Sequence, residues 1–425
     1  METLLSLSIA LMAGLLLSRL AKKLQLPAVT AYLVAGILVG PFVLGRLGIE
    51  GMGFTSLDSV ENFSLLSDLA LGFIAFAIGN EFRLEQLKKI GRKATVIGIL
   101  QAVITTLLVD AVLIGLHFAM PKVLSLSVAI TLGAIAAATA PAATLMVVKQ
   151  YKAKGPVTST LLPVVALDDA VGLVIFAISF GIARSLESGS VNILSVVLEP
   201  ALEVIGSLAL GALMGFLFNL TERVFHSRSK RMAVSVTFVL LTVALSKIEI
   251  PIAEGVTLAF SSLLTCMMLG TVFCNVCDFS EELMERVDRW SAPLLVLFFV
   301  LSGAELNLEV LSNGIIVLVG VIYIISRSAG KLLGAFTSAK MSRCEPNIVK
   351  YLGITLLPQA GVALGMANTA NDYLLGGELV LNITLFAVLV YEIVGPFMTK
   401  KALEAAGEID PEGKVSARAV KTEQK

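Results

Sequence analysis

Residues 162–176 are Leu-Pro-Val-Val-Ala-Leu-Asp-Asp-Ala-Val-Gly-Leu-Val-Ile-Phe, an apolar run with two adjacent carboxylates, Asp168 and Asp169, near its middle. The apolar sequence continues to Phe180, so it is long enough to cross a lipid bilayer as a helix. A charged Asp at the centre of such a helix costs about 2.5–3.5 kcal/mol, so two in succession indicate a functional site. A structural ion pair is the alternative, but it needs only one carboxylate. Because adjacent helical residues point about 100° apart, one Asp can pair with a protein cation while the other faces water or a ligand.

The composition of the whole chain is typical of a polytopic membrane protein. Of the 425 residues, 56% are hydrophobic and only 15% are charged. Lys plus Arg and Asp plus Glu each number 32, so net charge favours no nucleic-acid partner. Residues 4–20 lack the basic start and the cleavage site of a signal peptide, and we expect a retained helix. Cys274 and Cys277 form a lone C-x-x-C, which predicts no zinc site.

The hydrophobic pattern predicts an all-α fold of about thirteen transmembrane helices. The predicted spans are residues 3–20, 27–45, 63–80, 94–117, 124–148, 158–183, 192–219, 232–247, 254–273, 291–306, 313–338, 348–370 and 376–399. Lys and Arg concentrate in the loops after spans one, three, five, seven and eleven, and such loops face the cytoplasm. We therefore predict a multi-pass protein of the cell membrane with its N-terminus outside and a cytoplasmic tail at residues 404–425.

Two parts of the sequence repeat. Residues 71–87 align with residues 295–311 at an offset of 224, with identical residues at Leu71, Gly79, Glu81, Leu84, Glu85 and Leu87. At nearly the same offset, Asp169 to Gly172 aligns with Glu392 to Gly395. Seven spans separate equivalent helices, and because seven is odd, we predict two inverted repeats of six helices. Inverted repeats are the architecture of many secondary transporters.

Spans five and twelve are predicted to be broken helices that cross. Each has a proline among small or polar residues near its centre, Ala140-Pro141 in one and Pro358-Gln359 in the other. Proline frees a backbone carbonyl by removing a hydrogen-bond donor. Free backbone at mid-membrane is tolerated only where it is buried in protein or lines a water-filled cavity. A simple kink would explain one such proline, but two at equivalent positions of a repeat favour a binding site.

Span eleven supplies the predicted cation partner for the aspartates. We favour a buried Lys331, because a buried lysine can release its proton whereas an arginine stays charged. Arg327 lies one turn away on the same face, and either side chain could instead extend to the cytoplasmic interface. Glu392 occupies the repeat position of Asp169, and we favour its structural pairing with Arg327 or Lys331 over a direct role in transport.

These residues resemble the monovalent cation:proton antiporter superfamily, and most of all its cation:proton antiporter-2 group of sodium/proton antiporters. The resemblance covers nearly the whole chain. Residues 26–41 resemble the second helix of that family, and residues 167–173 resemble its Asp-Asp motif. Gly330-Lys331 resembles the lysine helix and residues 392–396 resemble the last helix.

The resemblance implies roles for single residues. Asp169 would be the main ligand for Na⁺ and H⁺, Asp168 would pair with Lys331 and assist, and Thr139 would contribute a hydroxyl or backbone oxygen. We expect no cofactor beside the transported Na⁺ and H⁺. At Ala140-Pro141 family members often carry Ser or Thr, so this chain offers fewer hydroxyls to a dehydrated ion and the choice between Na⁺ and K⁺ stays open.

The resemblance also implies a division of the chain into two moving parts. Residues 94–190 and 311–403 would form the core, and residues 1–93 and 231–310 would form the scaffold through which two copies form a homodimer. Residues 191–230 would be the connecting helix.

The predicted function is secondary active transport, not enzymatic catalysis. A carboxylate in a partly dehydrated cavity can hold Na⁺ or H⁺ but not both, because protonation removes the charge that binds the ion. If Asp168 and Asp169 both gain protons while one cytoplasmic Na⁺ or Li⁺ leaves, the exchange is electrogenic. A K⁺/H⁺ antiporter would use the same residues. A sodium-coupled organic-anion symporter could share the fold without needing the Asp-Asp pair, and an intramembrane aspartyl protease needs carboxylates that face each other.

Overall fold

The computed structural model describes residues 2–24, 26–48, 53–80, 82–188, 193–248, 250–253, 256–277, 280–306 and 308–409. Nearly all of these residues are helical, as the sequence predicts. The helices are α1 (Glu2–Lys23), α2 (Ala28–Val39), α3 (Leu57–Glu61), α4 (Ser64–Asn80), α5 (Leu84–Ala119), α6 (Leu126–Ile135), α7 (Pro141–Gln150), α8 (Pro156–Ser188), α9 (Ile193–Val224), α10 (Arg228–Ser246), α11 (Ser262–Val276), α12 (Ser280–Glu305), α13 (Gly314–Met341), α14 (Pro346–Thr355), α15 (Gly361–Tyr373) and α16 (Gly377–Ala405). Two short 3₁₀ turns lie at Gly45–Leu47 and Leu308–Ser312.

Eight of the described helical segments are long and apolar enough to cross a bilayer. They fall in α1, α5, α8, α9, α10, α12, α13 and α16. Shorter apolar helices, among them α2, α4, α6 and α11, lie between them. The chain is therefore a multi-pass membrane protein. Each predicted span overlaps a helix or a broken helix of the described chain, and the count of thirteen crossings stays a prediction.

The predicted ninth span differs from the structure at its start. Strand β1 (Ile250–Ala253) pairs antiparallel with β2 (Val256–Leu258), with Ile250 opposite Leu258. Helix α11 begins only at Ser262, where the hydroxyl of Ser261 accepts a hydrogen bond from the Leu264 amide. The β-branched residues Ile250, Ile252, Val256 and Thr257, together with Pro251, disfavour a helix in this segment. The apolar composition alone could not distinguish this hairpin from the first turns of a helix.

The packing of the two halves shows the same helix contact twice. Helix α2 packs on α12, where a Cβ at Gly303 would lie 2.2 Å from the Leu33 carbonyl oxygen. Helix α11 packs on α4, where a Cβ at Gly79 would lie 1.9 Å from the Met267 carbonyl oxygen. Gly79 and Gly303 are aligned residues of the sequence repeat, so both positions need glycine for the same close approach of two backbones. The inverted direction of the halves stays a prediction.

The two breaks lie where the sequence predicts them. Residues 136–140 separate α6 from α7, and residues 356–360 separate α14 from α15. Pro141 is the first residue of α7. At this position the backbone N–H has no acceptor within the helix, so its absence in proline costs no helical hydrogen bond. The unwound stretches meet through their backbones, because the Ala140 amide donates a hydrogen bond of 2.9 Å to the Pro358 carbonyl oxygen.

Helices α5 and α13 lie against each other beside this crossing. A Cβ at Gly334 would lie 2.9 Å from the Cα of Gln101, and one at Gly330 would lie 2.9 Å from the Cα of Thr105. These two glycines let the helices approach closely, so the middle of α5 faces the part of α13 that carries Lys331.

Candidate ion-binding site

Asp168 is the buried carboxylate at the centre of the site. It lies in α8 and is fully inaccessible to solvent. Its Oδ1 accepts a hydrogen bond from the side-chain amide of Gln101. Its Oδ2 accepts one from the hydroxyl of Thr139 and another, of 2.9 Å, from the ammonium of Lys331. A buried carboxylate is stable only when it is paired and hydrogen-bonded, and Asp168 meets both conditions.

Lys331 is the fully buried cation that faces Asp168. Besides the ion pair, its Nζ donates to Gln101 Oε1 at 3.0 Å and to Thr139 Oγ1 at 2.8 Å. It also donates to the carbonyl oxygen of Ala137 at 2.5 Å. The ammonium thus sits among a carboxylate, an amide, a hydroxyl and a freed backbone carbonyl. Oxygens of these four kinds are also the ligands that hard cations prefer.

Arg327, one turn from Lys331, holds the two unwound stretches together. Its guanidinium donates to the carbonyl oxygens of Ala136 at 3.0 Å, Ala138 at 2.6 Å and Leu357 at 2.7 Å. The guanidinium Cζ also lies 4.5 Å from the ring centroid of Tyr391, in cation–π geometry. The carbonyls that the breaks release are therefore satisfied by a fixed, permanently charged side chain.

The second break is held by Gln359. Its side-chain amide donates to the Ile135 carbonyl oxygen and to the Tyr323 hydroxyl, both at 3.0 Å. Its Oε1 is buried and has no hydrogen-bond partner among the described residues. Pro358 is placed by the backbone bond from Ala140. All four residues predicted for the breaks, Ala140, Pro141, Pro358 and Gln359, thus lie at the crossing.

The structure brings most of the predicted site residues together. Asp168, Thr139 and Lys331 share direct hydrogen bonds, and Arg327 contacts the same unwound stretch. Asp169 follows Asp168 in α8, but its side chain lies outside those that the structure describes. The geometry joins Asp168 to Lys331, the pairing that the resemblance implies.

The predicted pairing of Glu392 is not found. Glu392 is buried in α16, and no ion pair of the described residues joins it to Arg327 or Lys331. Its Oε2 has no hydrogen-bond partner among them. The physical reason is competition, since the unwound carbonyls already engage the guanidinium and Asp168 engages the ammonium.

Gln101 is the functional candidate that the sequence did not reveal. It is fully buried in α5 and touches both members of the ion pair. Its Nε2 also donates to the Gly98 carbonyl oxygen at 3.1 Å. An amide carries no charge and stands out less than Asp or Lys. The available signal was its position within the apolar run of the fourth predicted span.

A helical membrane protein in which two broken helices cross beside a buried ion pair has the architecture of a secondary transporter. Residues 7–405 match the family model described as sodium/hydrogen exchanger, transmembrane. The chain belongs to this family.

Similar proteins come from all three domains of life. The chain is 24% identical to the high-affinity Na⁺/H⁺ antiporter NhaS3 of Synechocystis, over 95% of this chain and 90% of the relative. It is 25% identical to cation/H⁺ antiporter 18 of Arabidopsis thaliana, over 96% of this chain but only 50% of that longer relative. The sodium proton antiporter MjNhaP1 of Methanocaldococcus jannaschii, solved at pH 8, superposes with a TM-score of 0.70 at 20% identity, covering 96% of this chain and 99% of that one. This last similarity bears on the fold alone.

Proposed function

We propose that this protein exchanges Na⁺ for H⁺ across the cell membrane by alternating access. Family membership and the Na⁺/H⁺ antiporter NhaS3 of Synechocystis, which matches over most of its own length, support the proposal. The observation that carries it is the Asp168–Lys331 pair, buried among freed backbone oxygens at the crossing of two broken helices. Such a pair is costly to bury, and a site that changes its charge during transport gives it a use.

The geometry supports a competition between Na⁺ and the Lys331 ammonium. Both ions seek oxygen ligands, and the oxygens around Nζ are already arranged for a monovalent cation. In the proton-loaded state, Lys331 is charged and bound to Asp168, and Asp169 carries a second proton. In the cation-loaded state, both groups have released their protons and Na⁺ is held by Asp169, Asp168 and Thr139.

This cycle is electrogenic, because two protons enter for each Na⁺ that leaves. It differs from the expectation from sequence in placing the second proton on Lys331, since Asp168 already accepts three hydrogen bonds. One net charge per cycle is worth about 2.3 kcal/mol per 100 mV of membrane potential. Net positive charge moves in the same direction as the protons. The exchange rate of proteoliposomes should therefore rise when the membrane potential is negative on the side to which the protons move. An unchanged rate after a valinomycin-set potential would contradict the two-to-one exchange.

The moving part in this proposal is the set of helices around the crossing, α5–α8 and α13–α16. Helices α1–α4 and α10–α12 would form the scaffold and the homodimer contact, with α9 connecting the halves. The C-terminus would lie in the cytoplasm and the N-terminus outside.

Potassium is the second candidate for the transported cation. Ala140 offers no hydroxyl at the break, so the described ligands there are a carboxylate, one hydroxyl and backbone carbonyls. A cation that needs less dehydration than Na⁺ suits such a set. The Arabidopsis relatives carry the broader name cation/H⁺ antiporter.

Proteoliposomes with an imposed pH gradient and an internal pH dye test these proposals. Na⁺, Li⁺ and K⁺ are added in turn to wild type, to Asp169→Asn and to the control Asp68→Asn. Asp68 is a partly exposed carboxylate of α4 that pairs with Lys247 at 2.8 Å, away from the crossing. We expect dequenching by Na⁺ or Li⁺ in wild type and the control, and none in Asp169→Asn. A response to K⁺ alone would identify K⁺, and not Na⁺, as the transported cation. An unaltered response in Asp169→Asn would refute the role of the carboxylates.

A further inference from the structure

Helix α16 ends in a Schellman motif that turns the chain back toward α8. Gly407 has φ of +74°, in the left-handed region that favours glycine. The amide of Glu408 donates to the Leu403 carbonyl oxygen, and the amide of Gly407 donates to the Glu404 carbonyl oxygen, each at 3.0 Å. These are the two bonds of the motif, and they fix the direction in which Glu408 leaves the helix.

The carboxylate of Glu408 caps the first turn of α8. One of its oxygens accepts the Val157 amide at 2.6 Å. The other accepts the Thr158 amide at 2.8 Å and the Thr158 hydroxyl at 2.6 Å. Val157 and Thr158 are the second and third residues of α8, whose amides an N-cap side chain usually satisfies. Glu408 is only 7% exposed and lies some 250 residues away in sequence.

Gly155 leaves the room that this distant cap needs. It occupies the N-cap position of α8, directly before Pro156, and has no side chain to cap the helix itself. A Cβ at Gly155 would lie 2.4 Å from Cδ of Glu408, so a larger residue would displace the carboxylate. The Lys154 amide adds a bond of 3.0 Å to the main-chain oxygen of Glu408.

Apolar packing joins the same two helix ends. Val157 and Leu161 of α8 lie in one buried cluster with Leu403 of α16 and with Ile409, which directly follows the cap. The start of α8 and the end of α16 are therefore held together by a charge, by backbone bonds and by a small core.

Building on the function proposed above, we propose that Glu408 is a positioning residue that fixes the axial position of α8 and hence of Asp168 and Asp169. Asp168 follows Thr158 by ten residues, which is about 15 Å along a helix. Helix α8 has no break over this distance, although Pro163 within it lacks the N–H for one helical hydrogen bond. Movement of its first turn along the axis therefore also moves the aspartates. A shift of about 1 Å suffices to loosen a functional site whose supporting contacts are lost.

The test compares Glu408→Ala with the matched control Glu404→Ala. Glu404 lies on the last turn of the same helix and pairs with Lys401 at 3.0 Å, with no hydrogen bond to α8 among the described residues. Two truncations extend the comparison. One ends after Ile409 and keeps the cap, and the other ends after Gly407 and removes both the cap and the apolar contact of Ile409. Glu408→Gln keeps one acceptor and serves as a milder variant if removal of the cap lowers the folded yield.

Two measurements are made on each variant in proteoliposomes or detergent. We expect Glu408→Ala and the shorter truncation to raise the Na⁺ concentration for half-maximal dequenching about fivefold, with the maximal rate per folded protein within about twofold. Hydrogen exchange should accelerate at the amides of Val157 and Thr158. The control variant and the longer truncation should match wild type in both measurements.

The outcomes separate this proposal from the function on which it rests. A wild type that moves no cation overturns both. If wild type exchanges Na⁺ and Glu408→Ala has the same half-maximal concentration despite faster amide exchange, the cap is structural only and the positioning role is refuted. A variant that merely yields less folded protein, with wild-type kinetics in what remains, refutes it equally.

Discussion

The two broken helices are alike in backbone and differ in what they bind. The first unwound stretch directs the carbonyls of Ala136, Ala137 and Ala138 at the two cations of α13. The second directs its Leu357 carbonyl at Arg327 and its Pro358 carbonyl at the first stretch. The first break thus forms most of the polar site, and the second supports it.

The helices that follow the breaks differ in the same way. In α8, Asp168 accepts bonds from Gln101, Thr139 and Lys331. Asp169, which follows Asp168, aligns with Glu392 of α16. The Oε2 of Glu392 has no hydrogen-bond partner among the described residues. Both halves of the chain contain a broken helix followed by a long helix, while the carboxylate that is bound to a cation lies in the first half.

The cations lie in the other half. Arg327 and Lys331 belong to α13. At the repeat offset of 224 they align with Val103 and Leu107 of α5, which carry no charge. The first half therefore supplies the carboxylate that is bound to a cation and most of the freed carbonyls, and the second half supplies both positive charges and the Leu357 carbonyl. Substitutions that remove one of these groups test this division of roles between the two halves.

The largest effect is expected for Lys331→Ala. This change leaves Asp168 buried without its cation, which costs about 3–5 kcal/mol when one partner of a buried pair is removed. We expect loss of exchange and a lower unfolding temperature in detergent. Combining Lys331→Gln with Asp168→Asn removes both charges and should restore much of the stability without restoring exchange. A stable, active Lys331→Ala protein would contradict the division between the halves.

Arg327→Lys should have the next largest effect. It keeps the positive charge, but one ammonium cannot reach three carbonyls on two separate stretches. A lost hydrogen bond to a charged group costs about 1.5–3 kcal/mol, so we expect a stability loss of about 2–4 kcal/mol. Equilibrium unfolding without Na⁺ measures it. Stability equal to wild type would show that charge alone, and not the planar fork, holds the crossing.

Gln101→Leu should have a moderate effect, since Asp168 and Lys331 each keep other partners. We expect the Na⁺ concentration for half-maximal dequenching to rise about tenfold, which corresponds to about 1.4 kcal/mol. Gln101→Glu instead adds a negative charge beside the Lys331 ammonium, which in wild type donates to the amide oxygen at 3.0 Å. An opposite charge favours the protonated ammonium, and Lys331 must release its proton before Na⁺ is held, so the pH profile of exchange should move to higher pH. A move to lower pH would contradict the observed contact.

Glu392→Gln should have the smallest effect. No ion pair of the described residues engages Glu392, so the change removes no charge partner. We expect the free energy of unfolding to fall by no more than about 0.5 kcal/mol, or to rise. Exchange should stay within about twofold of wild type. If exchange is lost while folding is normal, the second half also contributes a working carboxylate, and the division proposed here is wrong.

The sequence predicted the features that depart strongly from an apolar background. Adjacent aspartates, a lysine in an apolar run and prolines at matching positions are each costly in a membrane helix, so they stand out in the sequence. The structure brings Asp168, Lys331, Pro141 and Pro358 together at the crossing, and the role of Asp169 stays a prediction. Gln101 was missed because a neutral amide carries little such cost. The pairing of Glu392 was wrong because its nearness to Arg327 was inferred from charge, while the released carbonyls that satisfy Arg327 depend on where the backbone unwinds.

The bond from the Ala140 amide to the Pro358 oxygen joins the two breaks through main-chain atoms alone. No side chain takes part, so a point mutation at position 358 leaves the acceptor in place, and at position 140 only proline removes the donor. The geometry of the crossing is therefore largely insensitive to mutation at its own centre. Ala140→Ser would therefore add a hydroxyl at the crossing while the main-chain bond that joins the two breaks stays in place.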